Sequence, residues 1–509
     1  MAELLAALSL ASDLAHNLPT ESALRNALIA VGIGRRQGLA GQDLSDIYYL
    51  SLLHHIGCTG AAVFAAQLAE GEDIDLFFTF FAADYADRLQ IMGKTLTSLN
   101  RHRSAATRAR TTFNLMTKGD STMKLMQAST CEGASRLAAR LGMTSGVCAG
   151  LYEVYSRWDG KIFAGAAGDG ISLASRIVHV AHVAEFFHRR AGRQAAAEVV
   201  GRRAGTELDP DLARMFVTNA DDLLAPMEAG SLWDAALDAE PEPQRCVPRF
   251  RLQEIAAAFA DFTDLKSPLM MGHSKSVAEL AARAGGLLGM DRELLTTLKI
   301  AALLHDLGQV SVPNGIWEKR DRLSPGEFER VRLHPYFTER ILSHSALLAP
   351  YGQLAGLHHE RLDGSGYHRG LRAANLPAAA RVLAAADTYH ALIEEAPYRP
   401  RMAPAEAAKE LEAEAASGRL DREVVGATIA AAGQKVATAR AAWPGGLTER
   451  EVGVLREVAR GRTNKEIART LFISDATVHS HVLNIYTKIG VNSRAGAALF
   501  AMENDLVHA

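Results

Sequence analysis

The chain has 509 residues, enough for about three domains of typical size, and it is 48% hydrophobic but only 6% aromatic. Its formal net charge of −3 excludes a global basic field, so any contact with nucleic acid must come from a local patch. Four scattered cysteines without a CxxC pair and the lack of an apolar run near ~20 residues lead us to expect a cytoplasmic protein that contacts no membrane.

Two proline-bearing stretches interrupt the helical pattern and predict linkers, at 239–249 and 441–446. They divide the chain into pieces at 1–238, 250–440 and 447–509. Alanine-rich runs such as AEAAKELEAEAA (405–416) favour helix throughout. We therefore expect an all-α protein with two tandem helical bundles and a small four-helix domain.

The first two pieces share landmarks in the same order. YYLSLLHHIG (48–57) resembles KIAALLHDLG (299–308), and SRWDGK (156–161) resembles ERLDGS (360–365). After each DG, an arginine begins an apolar run. The pieces are therefore interpreted as diverged copies of one bundle.

Histidines are concentrated in the second piece, where eight of the chain's 18 fall between 273 and 390. Imidazole nitrogens combined with carboxylate oxygens suit Fe, Mn or Zn. Neighbouring side chains on a helix point ~100° apart, so they serve two adjacent ions better than one. The pairs His305-Asp306 and His358-His359 therefore predict a binuclear site.

The motifs HDLGQ (305–309), HHERLDGSGYHRGL (358–371) and ADTYHALIEEAPYR (386–399) resemble the HD-GYP branch of the HD phosphohydrolase superfamily. The resemblance covers about 260–435 and implies an HD-type bundle that hydrolyses a phosphodiester, with cyclic di-GMP as the candidate substrate. It implies a divalent transition metal, Fe or Mn, bound by His273, His305, Asp306, His334, His358, His359 and Asp387. It also implies that Asp306 bridges the metals in catalysis, that Gly366 and Tyr367 roof the substrate, and that Arg399 contacts phosphate.

Four positions depart from the family pattern. Gln309 replaces a lysine, Ala396 replaces an arginine, and His368 replaces the proline of GYP. Leu269 stands where trinuclear members have a glutamate ligand, which favours a binuclear site. Two hypotheses remain open: a phosphodiesterase fused to a transcription regulator, or an inactive HD-GYP sensor that binds metal or nucleotide.

The first copy has lost most of these ligands. Alignment of the landmarks pairs His54 with His305, His55 with Asp306, His182 with Asp387, and Val154 and Tyr155 with the His358-His359 pair. Without the bridging carboxylate, this copy is predicted to bind no binuclear centre and to catalyse nothing. A structural, dimerising or sensory role is expected, and a single ion at the three histidines is the alternative left open.

The third piece has the pattern of a helix-turn-helix. Thr448 with Glu451 predicts a capping box, Gly461 ends that helix, and Ser474 caps the helix offered to the major groove. The piece resembles the LuxR-type (GerE-like) DNA-binding domain over 447–509. By that resemblance, the DNA-contacting residues are Lys465, Thr477, His479, Ser480, His481 and Lys488. Two-fold operators favour a homodimer.

Overall fold

The computed structural model describes residues 1–84, 86–87, 90–91, 93–94, 104–161, 165–228, 230–433 and 443–507. Every regular element within these residues is helical, so the all-α prediction is confirmed. The chain forms two compact units, Met1–Pro248 and Arg249–Ala509. The first predicted linker ends at this boundary, whereas residues 441–442 of the second lie outside the described residues.

The first unit is built around helices that are buried on most sides. Its described α-helices are α1 (Ala2–Ala15), α2 (Ser22–Arg36), α3 (Gly41–Leu53), α4 (Ala62–Leu68), α5 (Asp73–Ala82), α6 (Ala105–Arg140), α7 (Ser145–Glu153), α8 (Leu173–Arg203), α9 (Pro210–Thr218), α10 (Ala220–Leu224) and α11 (Leu232–Asp238). Leu5, Ile29 and Tyr48 are fully buried and mark α1, α2 and α3 as its centre. Helix α8 is interrupted at Gly192, whose φ of 82° lies in the left-handed region.

The second unit contains the predicted metal-binding bundle and the helix-turn-helix. Its described α-helices are α12 (Leu252–Asp264), α13 (His273–Leu287), α14 (Arg292–Leu304), α15 (Asn314–Trp317), α16 (Pro325–Arg332), α17 (His334–Ser343), α18 (Ala349–Ala355), α19 (Ala378–Ile393), α20 (Pro404–Ala416), α21 (Arg422–Gly433), α22 (Glu449–Ala459), α23 (Asn464–Leu471), α24 (Asp475–Ile489) and α25 (Arg494–Glu503).

A buried aspartate braces the start of a following helix in both units. Asp13 Oδ2 accepts a hydrogen bond from the Ala23 N–H (3.5 Å) in α2. Asp264 Oδ2 accepts one from the Ser274 N–H (3.2 Å) in α13. The same separation of 10 residues in both places supports the interpretation of the units as diverged copies.

Side-chain caps define the helices of the C-terminal segment. Thr448 and Glu451 form the predicted capping box of α22, and Thr463 with Glu466 forms a second box on α23. The Ser474 hydroxyl accepts from the Thr477 N–H and caps α24. These local interactions explain why the helix starts could be predicted from the sequence.

No single helix within the described ranges combines the length and the apolar composition of a membrane span. The helices Gly41–Leu53 and Cys58–Leu68 have that length and composition only when they are taken together, and a bend of 41° separates them.

Candidate metal centre and helix-turn-helix surface

Helix ends bring the seven predicted ligands into one cluster. His273 begins α13 and His334 begins α17, while Asp387 lies within α19. The pairs His305-Asp306 and His358-His359 follow the last residues of α14 and α18. All of these side chains are buried except that of His359, which is 21% exposed. A helix end allows successive residues to face the same point, which a continuous helix does not.

Asp306 lies between two groups of imidazoles. Its Oδ1 is 3.4 Å from the Nε2 atoms of both His334 and His358. Its Oδ2 is 3.3 Å from His305 Nε2 and 3.6 Å from His273 Nε2. One carboxylate oxygen therefore faces each group, as a bridge between two ions requires.

Asp387 completes the second side of the cluster. Its Oδ1 lies 3.4 Å from His273 Nε2 and 3.7 Å from His305 Nε2. Its other oxygen is 3.7 Å from His359 Nδ1. The donor atoms thus divide into two sets that could each hold an ion: His273, His305 and Asp387, and His334, His358 and His359.

The tautomers of the histidines show that the cluster fits a cation. His334 Nδ1 faces the Val331 carbonyl at 2.6 Å, and His358 Nδ1 faces the Ala355 carbonyl at 2.7 Å. Because a carbonyl oxygen only accepts, both Nδ1 atoms carry a proton, and in the neutral rings both Nε2 atoms expose lone pairs. These two Nε2 atoms lie 3.0 Å apart, a repulsive arrangement unless a positive charge lies beside them.

Two further atoms of the cluster support the same conclusion. His305 Nδ1 donates to the Ala302 carbonyl (2.7 Å), which turns its Nε2 toward the carboxylates of Asp306 and Asp387. Neither His305 Nε2 nor Asp306 Oδ1 has a hydrogen-bond partner among the described residues, although both are buried. Buried polar atoms without partners are costly, and a metal ion would satisfy both.

Glu394 contacts the cluster through His273 and was not predicted from the sequence. Its Oε2 accepts a hydrogen bond from His273 Nδ1 at 2.8 Å, which directs His273 Nε2 toward the cluster. Burial by itself lowers the pKa of His273, but nearby carboxylates, Glu394 first, raise that pKa well above its ordinary value. Burial raises the pKa of Glu394, but His273 outweighs it and lowers the pKa to about 2.

The loop after His359 is fixed against the metal cluster by Glu360, which is 2% exposed. Its carboxylate accepts from three successive backbone N–H groups, those of Arg369 (2.7 Å), Gly370 (3.2 Å) and Leu371 (2.8 Å). Glu360 was not predicted, because a carboxylate that binds main-chain N–H groups has no partner side chain to identify in the sequence.

Gly366 and Tyr367 of this loop lie directly over the second histidine pair. A Cβ on Gly366 would be 2.4 Å from Arg361 N and 2.5 Å from His359 O, so only glycine permits this approach. The Tyr367 ring is 4.7 Å from the His359 ring, and the Arg332 guanidinium lies 5.3 Å from the tyrosine ring centre. The aromatic and cationic pair forms an edge beside the metal cluster.

The structure shows the contacts of Arg399 and the burial of Gln309, one of the positions that depart from the family pattern. The Arg399 guanidinium donates to the carbonyls of Ala391, Leu392 (2.8 Å) and Glu394 (3.4 Å), so it closes the end of α19 in this conformation. Its contact with phosphate remains a prediction. Gln309 is buried at 7% exposure, where the family has a lysine.

The helix-turn-helix residues differ in their accessibility. Lys465, Thr477, His479 and Ser480 are exposed, whereas His481 is half-buried. Lys488 donates to the Glu451 carboxylate at 2.7 Å and to the Gly446 carbonyl at 3.3 Å. The exposed face of α24 is thus available to DNA, and the Lys488 side chain is 37% exposed beside its ion pair, so its contact with phosphate remains a prediction.

Comparison with known families agrees with both assignments. Residues 257–424 match the HD domain, and residues 446–501 match the bacterial regulatory proteins of the luxR family. This chain combines an HD domain with a luxR-family helix-turn-helix domain. The resemblances drawn from the motifs are therefore confirmed.

Curated relatives match the chain to different extents. The 3'3'-cGAMP-specific phosphodiesterase 3 of Vibrio cholerae is 28% identical over 417 residues, which cover 79% of this chain and 88% of that protein. The cyclic di-GMP phosphodiesterase of Thermotoga maritima is 35% identical over 173 residues, or 34% of this chain and 46% of that protein. The crystal structure of a cyclic GMP-AMP specific phosphodiesterase from V. cholerae has a TM-score of 0.57 at 23% identity, covering 85% of this chain and 97% of that one, which shows a shared fold.

Proposed function

We propose that the HD domain is a metal-dependent phosphodiesterase that acts on a cyclic dinucleotide, and that the same chain regulates transcription through its luxR-family domain. The observation that carries this proposal is the position of Asp306, with one oxygen toward each group of imidazoles. The names of the relatives, which include cyclic di-GMP and 3'3'-cGAMP phosphodiesterases, support the substrate class.

Binuclear Fe or Mn would lower the pKa of bound water and offset the charge that develops on phosphate. The ligand set of imidazoles and carboxylates, without thiolates, supports these ions. Asp306 would hold both ions, one through each carboxylate oxygen, and Glu394 accepts the hydrogen bond from His273 Nδ1 that turns His273 Nε2 toward the cluster. Metal binding requires a neutral His273, whose Nε2 lone pair holds the ion. Because the pKa of His273 is raised, protons compete with the metal for that atom.

Tyr367 and Arg332 are the side chains that we expect to recognise the substrate. The tyrosine ring lies against His359 at the edge of the cluster, where we expect it to contact a base, while Arg332 supplies positive charge that Gln309 and Ala396 do not. A cyclic dinucleotide has both bases and phosphates, so both kinds of contact suit it. Gly366 lets this loop lie close to the metal ligands.

The luxR-family domain supplies the second activity. Thr477, His479 and Ser480 lie exposed on α24, the helix predicted to enter the major groove, and Lys465 is exposed for phosphate. We propose that a homodimer binds a two-fold operator in the cytoplasm. Analytical ultracentrifugation of the full chain with and without selected operator DNA tests this state, and a monomer on DNA would contradict it.

The first experiment measures hydrolysis of cyclic di-GMP, 3'3'-cGAMP and a bis-aryl phosphodiester by anaerobically purified protein with Fe(II) or Mn(II). Asp306→Ala should abolish turnover, whereas the matched control Asp321→Ala changes an exposed carboxylate of the same domain and should retain it. Equal turnover in both variants would contradict the proposal. Absence of turnover despite two bound metals per chain would favour the alternative, a metal-loaded sensor.

A further inference from the structure

Three histidines of the first unit form a second cluster of metal-ligand type. His54 and His55 follow α3, and His182 lies in α8. One donor nitrogen from each lies within 4.8 Å of the others. The ring centres are 3.7 Å apart for His54 and His55, and 5.2 and 5.0 Å from His182.

The tautomer of His55 follows from its neighbours. The Tyr155 hydroxyl donates to the His54 carbonyl (3.0 Å), so its oxygen accepts from His55 Nδ1, which lies 2.7 Å away. The proton is therefore on Nδ1, and Nε2 exposes a lone pair. His55 is 2% exposed, and its Nε2 has no hydrogen-bond partner among the described residues.

His54 is held in the same tautomer by the main chain. Its Nδ1 faces the Ser51 carbonyl at 2.5 Å, so its Nε2 also exposes a lone pair. That atom accepts from Asn26 Nδ2 at 3.2 Å. His305 in the second unit is fixed in the same way, by the carbonyl three residues before it. The first unit has thus kept the interaction that orients a ligand, although it lacks the carboxylates.

The surroundings leave this polar cluster under-satisfied and accessible to a fourth ligand. Asn26 Oδ1, on a residue that is 1% exposed, also has no hydrogen-bond partner within the described residues. Buried acceptors of this kind are costly unless they meet a cation or a donor. His182 lies on the wall of a cavity of about 100 Å³ that is otherwise lined largely by apolar side chains such as Phe77 and Met126.

We propose that His54, His55 and His182 bind one divalent transition-metal ion, with zinc as the ion that a three-imidazole set suits best. Two nitrogens on one zinc ion lie about 3.3 Å apart at bond lengths of about 2.0–2.1 Å, so the donors close by on the order of 1 Å on binding. The cavity has room for water as the fourth ligand. This site makes the first unit a metal-dependent structural or sensory module, and it does not depend on the proposed phosphodiesterase.

The test measures zinc content of the full chain by mass spectrometry after loading and desalting. Replacing His305 and His358 by alanine removes ligands from both halves of the HD-domain site, and this background should retain one zinc ion per chain. Adding His182→Gln should remove that ion. Adding His188→Ala, a histidine on the same helix outside the cluster, should leave it in place. Equal zinc content in the His182→Gln and His188→Ala chains would overturn the proposal.

A second readout guards against variants that fold poorly. In the His305→Ala, His358→Ala background, zinc should raise the melting temperature of the transition in which the first unit unfolds, because the ion binds only the folded site. The shift should disappear with His182→Gln, whose circular dichroism is compared with that of the background. A background chain whose melting temperature does not respond to zinc would contradict the site.

Discussion

The conformation of the loop over the metal cluster should depend more on the buried Glu360 than on the surface ion pair between Arg369 of this loop and Glu339. In Glu360→Gln, an NH₂ group replaces one of the two acceptor oxygens, so at least one backbone N–H loses its acceptor and faces another donor. The carboxylate is buried, and its three bonds measure 2.7, 3.2 and 2.8 Å. A hydrogen bond to a charged group contributes about 1.5–3 kcal/mol, so local opening of the loop should become about 10- to 150-fold more favourable.

Hydrogen exchange of the Gly370 and Leu371 amides measures this opening directly. The matched control is Glu339→Gln, which removes the ion pair with Arg369 on the same loop. The Arg369 side chain is 44% exposed, so this loss should cost less than about 1 kcal/mol. The metal content should stay unchanged in both variants, whereas the kcat/KM for a phosphodiester should fall only with Glu360→Gln. Wild-type exchange rates in Glu360→Gln would refute the claim that this carboxylate fixes the loop.

Three further outcomes test other parts of the molecule. Glu394→Gln should weaken metal binding about tenfold in a chelator competition, because His273 keeps a hydrogen-bond acceptor at residue 394 but that acceptor is no longer charged. The control Glu395→Gln should bind metal as the wild type does. Gly366→Ala should lower kcat about 100-fold with metal content retained, because its Cβ displaces the loop. Burial raises the pKa of Glu185 from 4.5 to about 7, so its contribution to stability is complete below pH 4.5 and falls by about 3 kcal/mol as pH rises through 7. Glu185→Gln should reduce this loss of stability with rising pH, measured by thermal unfolding of the full chain at several pH values. The same pH dependence in the variant and the wild type would contradict the raised pKa of Glu185.

The sequence predicted the helical class and the histidines and aspartates that the structure brings into one cluster, because both depend on local patterns. The HD and HH pairs follow helices whose apolar periodicity is visible, and the capping box at Thr448 and the N-cap Ser474 mark helix starts. Glu394 could not be found in this way, because its partner His273 is 121 residues away. The ion pair of Lys488 with Glu451 is likewise a tertiary contact that no local pattern indicates.

The two histidine clusters should differ in the number of metal ions that they can hold, and the charge of the surrounding side chains explains this difference. In the HD domain, Asp306, Asp387 and Glu394 bring three buried or nearly buried carboxylates to the site, which would offset most of the charge of two divalent ions. In the first unit, the three donors are imidazoles and no carboxylate belongs to the described ligand set. A second ion there would bring uncompensated charge into a buried environment. The loss of the carboxylates therefore limits the first unit to a single ion, even though the orientation of its histidines has been kept.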